Sequence, residues 1–468
     1  MEGPISNECF DVINPANGEV VSKAAAGHEG DTQEAIEASY AAFQDWAATP
    51  ATKRAEILIR IYQLMLERQK ELAQTISLEM GKPLKQAMGE VKNAADYVLW
   101  NAEEGKRIYG KTMQASEENK RLKVIQQPVG PVGAITPWNF PLAMVTRKLS
   151  PALAAGCTVV LKPAEQTPGS AVQFFKLAEE AGIPKGVLNL VTGNPAKIGD
   201  ALLSDKRIRK IAFTGSTAVG KHLLKNAAEQ VKRVSMELGG HAPLIVFEDA
   251  DLEQAVTNIL RAKFFNSGQT CISPNRIYVQ ESVKEEFLTL FKEKVEGLKV
   301  GNGLEDDVDL GPVVNKAGLE KAIEHVEDAV RNGANLIYGG NECKVTGCEN
   351  GYFYSPTILS DVDEAMLISH QETFGPVASI FTFDDELEVV NKANNTDYGL
   401  AAYIFTQNLS RSVRVSEGLE YGMVGINDTV LAQVQGPFGG MKESGMGREG
   451  GPDGLADFLE TKFISTII

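Results

Sequence analysis

The chain has 468 residues, 43% hydrophobic and 23% charged, the composition of a globular protein with a sizeable core. At roughly 150 residues per unit, the length corresponds to about three domain-sized units. Lysine and arginine total 46 against 62 aspartates and glutamates, a formal net charge of −16. That field repels nucleic acid and anionic membranes and leaves an enzyme of small molecules as the leading class.

In chain order, MEGPISNECF has neither the basic start nor the apolar run of a secretory leader. FISTII at the other end carries no lipidation motif. The expected location is cytoplasmic. Residues 33–105 read as helix-rich. From Arg54 to Met80, Ile57, Leu58, Ile61, Leu64, Met65, Leu72 and Ile76 recur at helical spacing, and Gly81 and Pro83 then stop the helix. KRLKVIQQ (120–127) alternates like an exposed strand, as does ETKFIST near the end, and both are expected at a subunit interface. The uncharged run Val124–Thr146 contains Pro128, Pro131, Pro137 and Pro141 and is read as strand and loop, not a membrane span. The runs VGAIT (132–136), TVVLK (158–162), VLNLV (187–191) and KIAFT (210–214) alternate with helical patterns such as 168–182 and 217–229. Such alternation predicts an α/β fold with parallel strands and helical crossovers. The rhythm restarts after ELGG (237–240) with PLIVF (243–247) and the helical stretch 251–264, so two α/β domains are expected with a boundary near 240.

The five cysteines, Cys9, Cys157, Cys271, Cys343 and Cys348, are sparse and odd in number, which suggests neither a disulfide framework nor zinc spacing. The five histidines form no close pair, so no metal site is expected. GMGREG (445–450) fits the dinucleotide pattern G-x-G-x-x-G but lacks the strand before it and the length after it, and reads as a glycine-rich loop. GSTAVGKH (215–222) is one residue from a phosphate-loop motif, and LIVFED (244–249) mimics an acid-tipped strand. A P-loop triphosphatase is therefore a second hypothesis, opposed by His222 at the hydroxyl position. FTGST follows a strand and opens a helix, so its free N–H groups suit a phosphate.

Beyond these, TPWNFP (136–141) fixes the amide of Asn139 in a turn after a strand, where it can donate to a developing oxyanion or merely cap the loop. In SMELGG (235–240), Glu237 ends an apolar strand before two glycines, the place of a general base or of an exposed strand-end acid. In FNSGQTCISPNR (265–276), Cys271 lies in a polar loop. Cys157, within PALAAGCTVVL, reads instead as a buried hydrophobe.

Together, PWNFP, KPAEQTP (162–168), FTGST, ELGG, GQTC, ETFGP (372–376) and PFGGMKESGMGRE (437–449) stand in family order. The chain resembles the NAD(P)-dependent aldehyde dehydrogenase superfamily over essentially its whole length. The resemblance implies a Rossmann-type cofactor domain (1–112 and 129–239), a catalytic domain (240–440) and a small β oligomerisation element (113–128 and 441–468). It implies Cys271 as nucleophile, Asn139 and the Cys271 N–H as oxyanion donors, and Glu237 as the base that activates water. It places Lys148 and Glu460 in a proton relay. The cofactor would meet Trp138, Lys162, Glu165, Gly215, Ser216, Glu372 and Phe374. A carboxylate at Glu165 binds ribose hydroxyls and repels a 2′-phosphate, which favours NAD over NADP. The implied assembly is a dimer or tetramer of identical chains. Intact Cys271, Glu237 and Asn139 argue against a non-enzymatic, crystallin-like member.

MVTRK (144–148) looks like the succinate-semialdehyde dehydrogenase branch, in which the arginine binds the substrate carboxylate, here Arg147. Two departures matter. Many branch members carry a second arginine where this chain has Phe265, and several carry a serine in the loop that here reads NDTVLAQVQGPFGG (427–440). Glutarate semialdehyde, lactaldehyde, glycolaldehyde or a sulfonated aldehyde are the alternatives to succinate semialdehyde. Ser273 stands where some relatives have a regulatory cysteine, so no disulfide switch is expected at Cys271.

Overall fold

The computed structural model describes residues 8–468; the first seven residues, on which most of the leader reading rests, lie outside them. Among the described residues no helix is long and apolar enough to cross a membrane.

Helices Glu29–Ala48, Ala51–Glu67, Gln69–Met80 and Leu84–Glu104 occupy the helix-rich region. The apolar stripe expected to run unbroken from Arg54 to Met80 is divided at Arg68, which leaves helical geometry at φ −111° and ψ 23°. The break has a packing reason. It lets Leu58, Ile61 and Leu64 before it and Leu72, Ile76 and Met80 after it all reach the same core with at most 2% exposure, at roughly 1.5–3 kcal/mol per buried side chain. Gly81 then caps the second helix at φ 79°, a left-handed geometry that costs glycine little.

Two large sheets follow. One has six strands in the order Gly445–Met446, Arg233–Glu237, Lys210–Thr214, Val132–Ile135, Val159–Lys162 and Leu188–Leu190, all parallel except the first. The other has seven, with Ala242–Val246 near its middle between Pro274–Gln280 and Ala401–Phe405. Strands such as VVLK, KIAFT and APLIV are buried at every position, as parallel strands covered by helices on both faces must be. A smaller antiparallel sheet joins Leu459–Ile467 to Lys120–Pro128 and Lys111–Met113. The segments 120–127 and 460–466 thus pair with each other, and the outer edge of Leu459–Ile467 is exposed at Phe463 and Ile467. Residues 441–446 pair with Tyr398–Gly399 and with Arg233–Glu237, outside that small sheet.

The phosphate-loop near-match does not form a phosphate loop. Helix Thr217–Ala227 begins inside the motif, with Ser216 as its N-cap accepting from the Val219 N–H, and Lys221 is paired with Glu443 at 2.6 Å. LIVFED belongs to the other sheet, so its acids never face this turn.

Candidate active site

The C-terminal ends of adjacent parallel strands gather much of the expected cofactor set. Ile135 registers with both Lys162 and Phe213, and Thr214 with Glu237. The Asn139 loop, Lys162, the Gly215–Ser216 turn and Glu237 therefore share one edge, where open α/β sheets bind ligands. Lys162 is buried and paired with the more exposed Glu165; burial pushes its ammonium below the ordinary range while Glu165 holds it up. Trp138 and Phe374 meet edge to face, with centroids 5.5 Å apart at 87°. Phe374 sits at φ 56°, a strained backbone for a bulky residue. Glu372 accepts the Gly240 N–H at 3.1 Å, and burial raises its carboxyl to about 7. A side chain at Gly240 would strike the Cys271 carbonyl at 2.2 Å, so this glycine permits the close approach of two loops.

Cys271 opens onto a cavity of about 620 Å³ that also exposes Arg147, Phe140, Phe265, Tyr403 and Phe438. The loop before it is tightly constrained. Asn266 and Ser267 adopt φ 53° and 54°, and buried hydrogen bonds hold them there. The Asn266 amide donates to the carbonyls of Asn139 and Gln269 at 3.0 and 3.1 Å. Ser267 donates to the Gly311 carbonyl at 2.8 Å, and Gln269 accepts the Val314 N–H at 2.9 Å. The Asn139 side chain reaches across and donates to the Gln269 carbonyl at 3.1 Å. Burial pushes the Cys271 thiol up to about 12, with Arg147 pulling the other way and Glu372 adding to the rise. Ser273 lies near the Lys263 ammonium, 3.2 Å away. Cys157 is fully buried in the apolar core.

The Asn139 loop is held by a pair that sequence reading passed over. Lys82 and Glu90 form a fully buried ion pair. Lys82 donates to the Asn139 carbonyl at 2.9 Å, and Glu90 accepts the Leu142 and Ala143 N–H groups at 3.0 and 3.2 Å, favourably placed at the start of helix Ala143–Ala155. A signal for Glu90 existed: a charge in helical register with buried Ala87, Val91 and Ala94.

Glu237 is buried, and among the described residues neither carboxylate oxygen has a hydrogen-bond partner. Burial raises its carboxyl well above the usual range, with Glu449 adding to the rise and Arg147 and Lys148 opposing it. The expected Lys148–Glu460 pair does not form. Lys148 donates to Glu449 and to Thr214, each at 2.5 Å. Glu460 lies half-exposed on the small sheet beside Arg233, 3.4 Å away. The acid of GMGREG, read only as part of a loop, thus occupies the place expected for Glu460. Arg147 also reaches Glu449, at 2.8 Å. Its guanidinium covers the Phe438 ring at 4.0 Å, and its Nη2 has no hydrogen-bond partner among the described residues. Phe265 stacks on Phe140, with centroids 6.0 Å apart.

A profile of the aldehyde dehydrogenase family matches residues 4–464. The chain belongs to the aldehyde dehydrogenase family. It is 48% identical to the succinate-semialdehyde dehydrogenase [NADP(+)] GabD of Escherichia coli K12, over 98% of this chain and 94% of that protein. The 3-sulfolactaldehyde dehydrogenase of Pseudomonas putida is likewise 48% identical, over the same shares. Among solved structures, the E. coli NADP-dependent enzyme superposes with a TM-score of 0.98 at 47% identity, covering all of this chain and 96% of the other.

Proposed function

We propose that this aldehyde dehydrogenase converts succinate semialdehyde, or a related small anionic semialdehyde, to the acid with NAD(P) as oxidant. The observation that carries the reading is the Asn139–Gln269 bond, which ties an amide donor to the loop of the one cysteine that opens into the large cavity. The Cys271 thiolate attacks the aldehyde carbon, and the oxygen that gains charge is met by the Asn139 amide and the Cys271 N–H. The paired Lys162–Glu165, the N–H groups at Gly215–Ser216, the Trp138–Phe374 wall and Glu372 at the side-chain-free Gly239–Gly240 suit the ribose, phosphate and ring parts of a dinucleotide. A bound nicotinamide supplies the hydride acceptor. Loss of the aldehyde hydride leaves a thioester on Cys271, and water hydrolyses it to the acid and free thiol. Ionised Glu237 takes the proton of that water, and Lys148 with Glu449 forms the polar route away from it.

Arg147 is the anchor for the substrate acid: a buried cation on the cavity wall whose Nη2 has no hydrogen-bond partner among the described residues. The carboxylate of Glu165 supports NAD over NADP; the names of GabD and the solved neighbour support NADP use in those proteins. The exposed edge of Leu459–Ile467 supports a homo-oligomer, placed in the cytoplasm. The test is NADH or NADPH release over a panel of semialdehydes and neutral aldehydes. Cys271→Ala should abolish release while cofactor binding persists; full activity in that variant would refute the mechanism.

A further inference from the structure

The cavity is larger than a four-carbon oxo acid needs, and much of its lining is apolar. Seven heavy atoms, at the ~30 Å³ a water occupies in the liquid, fill on the order of 200 Å³, about a third of the roughly 620 Å³ present. The stacked Phe140–Phe265 pair and Met144 form part of its apolar wall.

The charges along it are unevenly satisfied. Deep in the cavity, Arg147 is matched by Glu449, and Glu90 by Lys82. Farther out, Asp309 accepts the Lys299 N–H at 3.0 Å. Two further cations line the same cavity: Lys85, in the first turn of helix Leu84–Glu104, and Arg261, in the last turn of helix Leu252–Phe264. Both are exposed, and neither is ion-paired with a described carboxylate. In a chain of net charge −16, two exposed cations against the single exposed carboxylate of Asp309 leave this part of the cavity net positive, a local field opposite to the protein's own. Arg261 stands four residues before Phe265, in the last turn of the helix, and Phe265 follows as its C-cap with an extended ψ of 134°. Both line the cavity, Phe265 as a half-buried aromatic wall and Arg261 as an exposed cation.

We propose that Arg261, assisted by Lys85, forms an outer anion station that receives the distal carboxylate of ω-oxo acids longer than four carbons. The aldehyde reaches Cys271, and the methylene spacer lies along Phe140, Phe265 and Met144. Arg147 serves the short acids and Arg261 the long ones, so the cavity reads chain length at two depths. This rests on the aldehyde-oxidising reading and names its substrate class.

The experiment compares kcat/KM of the wild type, Arg261→Ala, Arg261→Lys and Arg261→Ala/Lys85→Ala on saturated ω-oxo acids of four, six and eight carbons and on uncharged alkanals of equal length. Arg261→Ala should lower kcat/KM for the six- and eight-carbon acids about fivefold relative to the matching alkanals, the scale of one solvent-screened ion contact. The loss should fall on KM, with partial recovery in Arg261→Lys and a larger loss in the double variant. Rising salt should weaken wild-type turnover of the long acids more than that of Arg261→Ala. Equal losses on acid and alkanal, or a wild type that turns over the long acids no better than Arg261→Ala, overturn the proposal. A wild type that oxidises none of these aldehydes overturns the underlying reading instead.

Discussion

Arg147 Nε stands 2.8 Å from Glu449 Oε2 while the neighbouring Lys148 holds Oε1 of the same carboxylate at 2.5 Å. One buried acid thus balances two buried cations on consecutive residues. Removing it leaves both uncompensated, which costs roughly 3–5 kcal/mol for a broken buried pair. Glu449→Gln is expected to lower stability on that scale in denaturant titration. Glu460→Gln, on a half-exposed side chain, is expected to stay within about 0.5 kcal/mol. A larger loss in the Glu460 variant would contradict the arrangement.

Arg147 lines the cavity, and its Nη2, shielded from solvent, has no hydrogen-bond partner among the described residues. A charge-assisted hydrogen bond of about 1.5–3 kcal/mol corresponds to roughly 10- to 150-fold in affinity. Arg147→Ala should therefore raise KM for succinate semialdehyde by that factor, and KM for a neutral aldehyde far less. Steady-state kinetics on both substrates checks it, and equal effects would remove the anchor role.

Two buried groups, the Cys271 thiol and the Glu237 carboxyl, set the pH behaviour. Burial holds the Cys271 thiol near 12, so in the ligand-free protein the thiolate fraction grows about tenfold per pH unit from 7 upward. Iodoacetamide labelling of Cys271 should follow that slope to at least pH 10; a plateau near pH 8 would contradict it. Glu237, whose carboxyl is raised, works as a base only when ionised. Thioester hydrolysis should therefore fall on acidification at a pH above the ordinary carboxylate range, readable in the pre-steady-state burst.

Glu165 is a third exposed and is held by Lys162. Glu165→Ser removes a charge that repels a 2′-phosphate and frees the lysine to meet one. The ratio of kcat/KM for NADP over NAD should rise about tenfold or more. An unchanged ratio would show that this carboxylate does not set the cofactor preference.

The amino-acid order alone predicted the parallel α/β alternation and its restart after residue 240, and it singled out Cys271, Asn139 and Glu237 as candidates whose roles the family resemblance then implied. Runs such as KIAFT and PLIVF are β-branched and apolar because both faces of those strands are covered. Polar residues in glycine- and proline-rich turns stand out against such runs. Tertiary structure alone decided which acid meets Lys148. Glu449 and Glu460 are eleven positions apart near the same end of the chain, and local pattern does not separate them. Glu449 follows a glycine turn into the core, whereas Glu460 pairs across to the Gln127 strand at the surface. The division at Arg68 and the Lys82–Glu90 pair were likewise decided by packing between elements distant in sequence. A charge can be buried only where the fold delivers its counter-charge, and no periodicity along one helix records where that partner comes from.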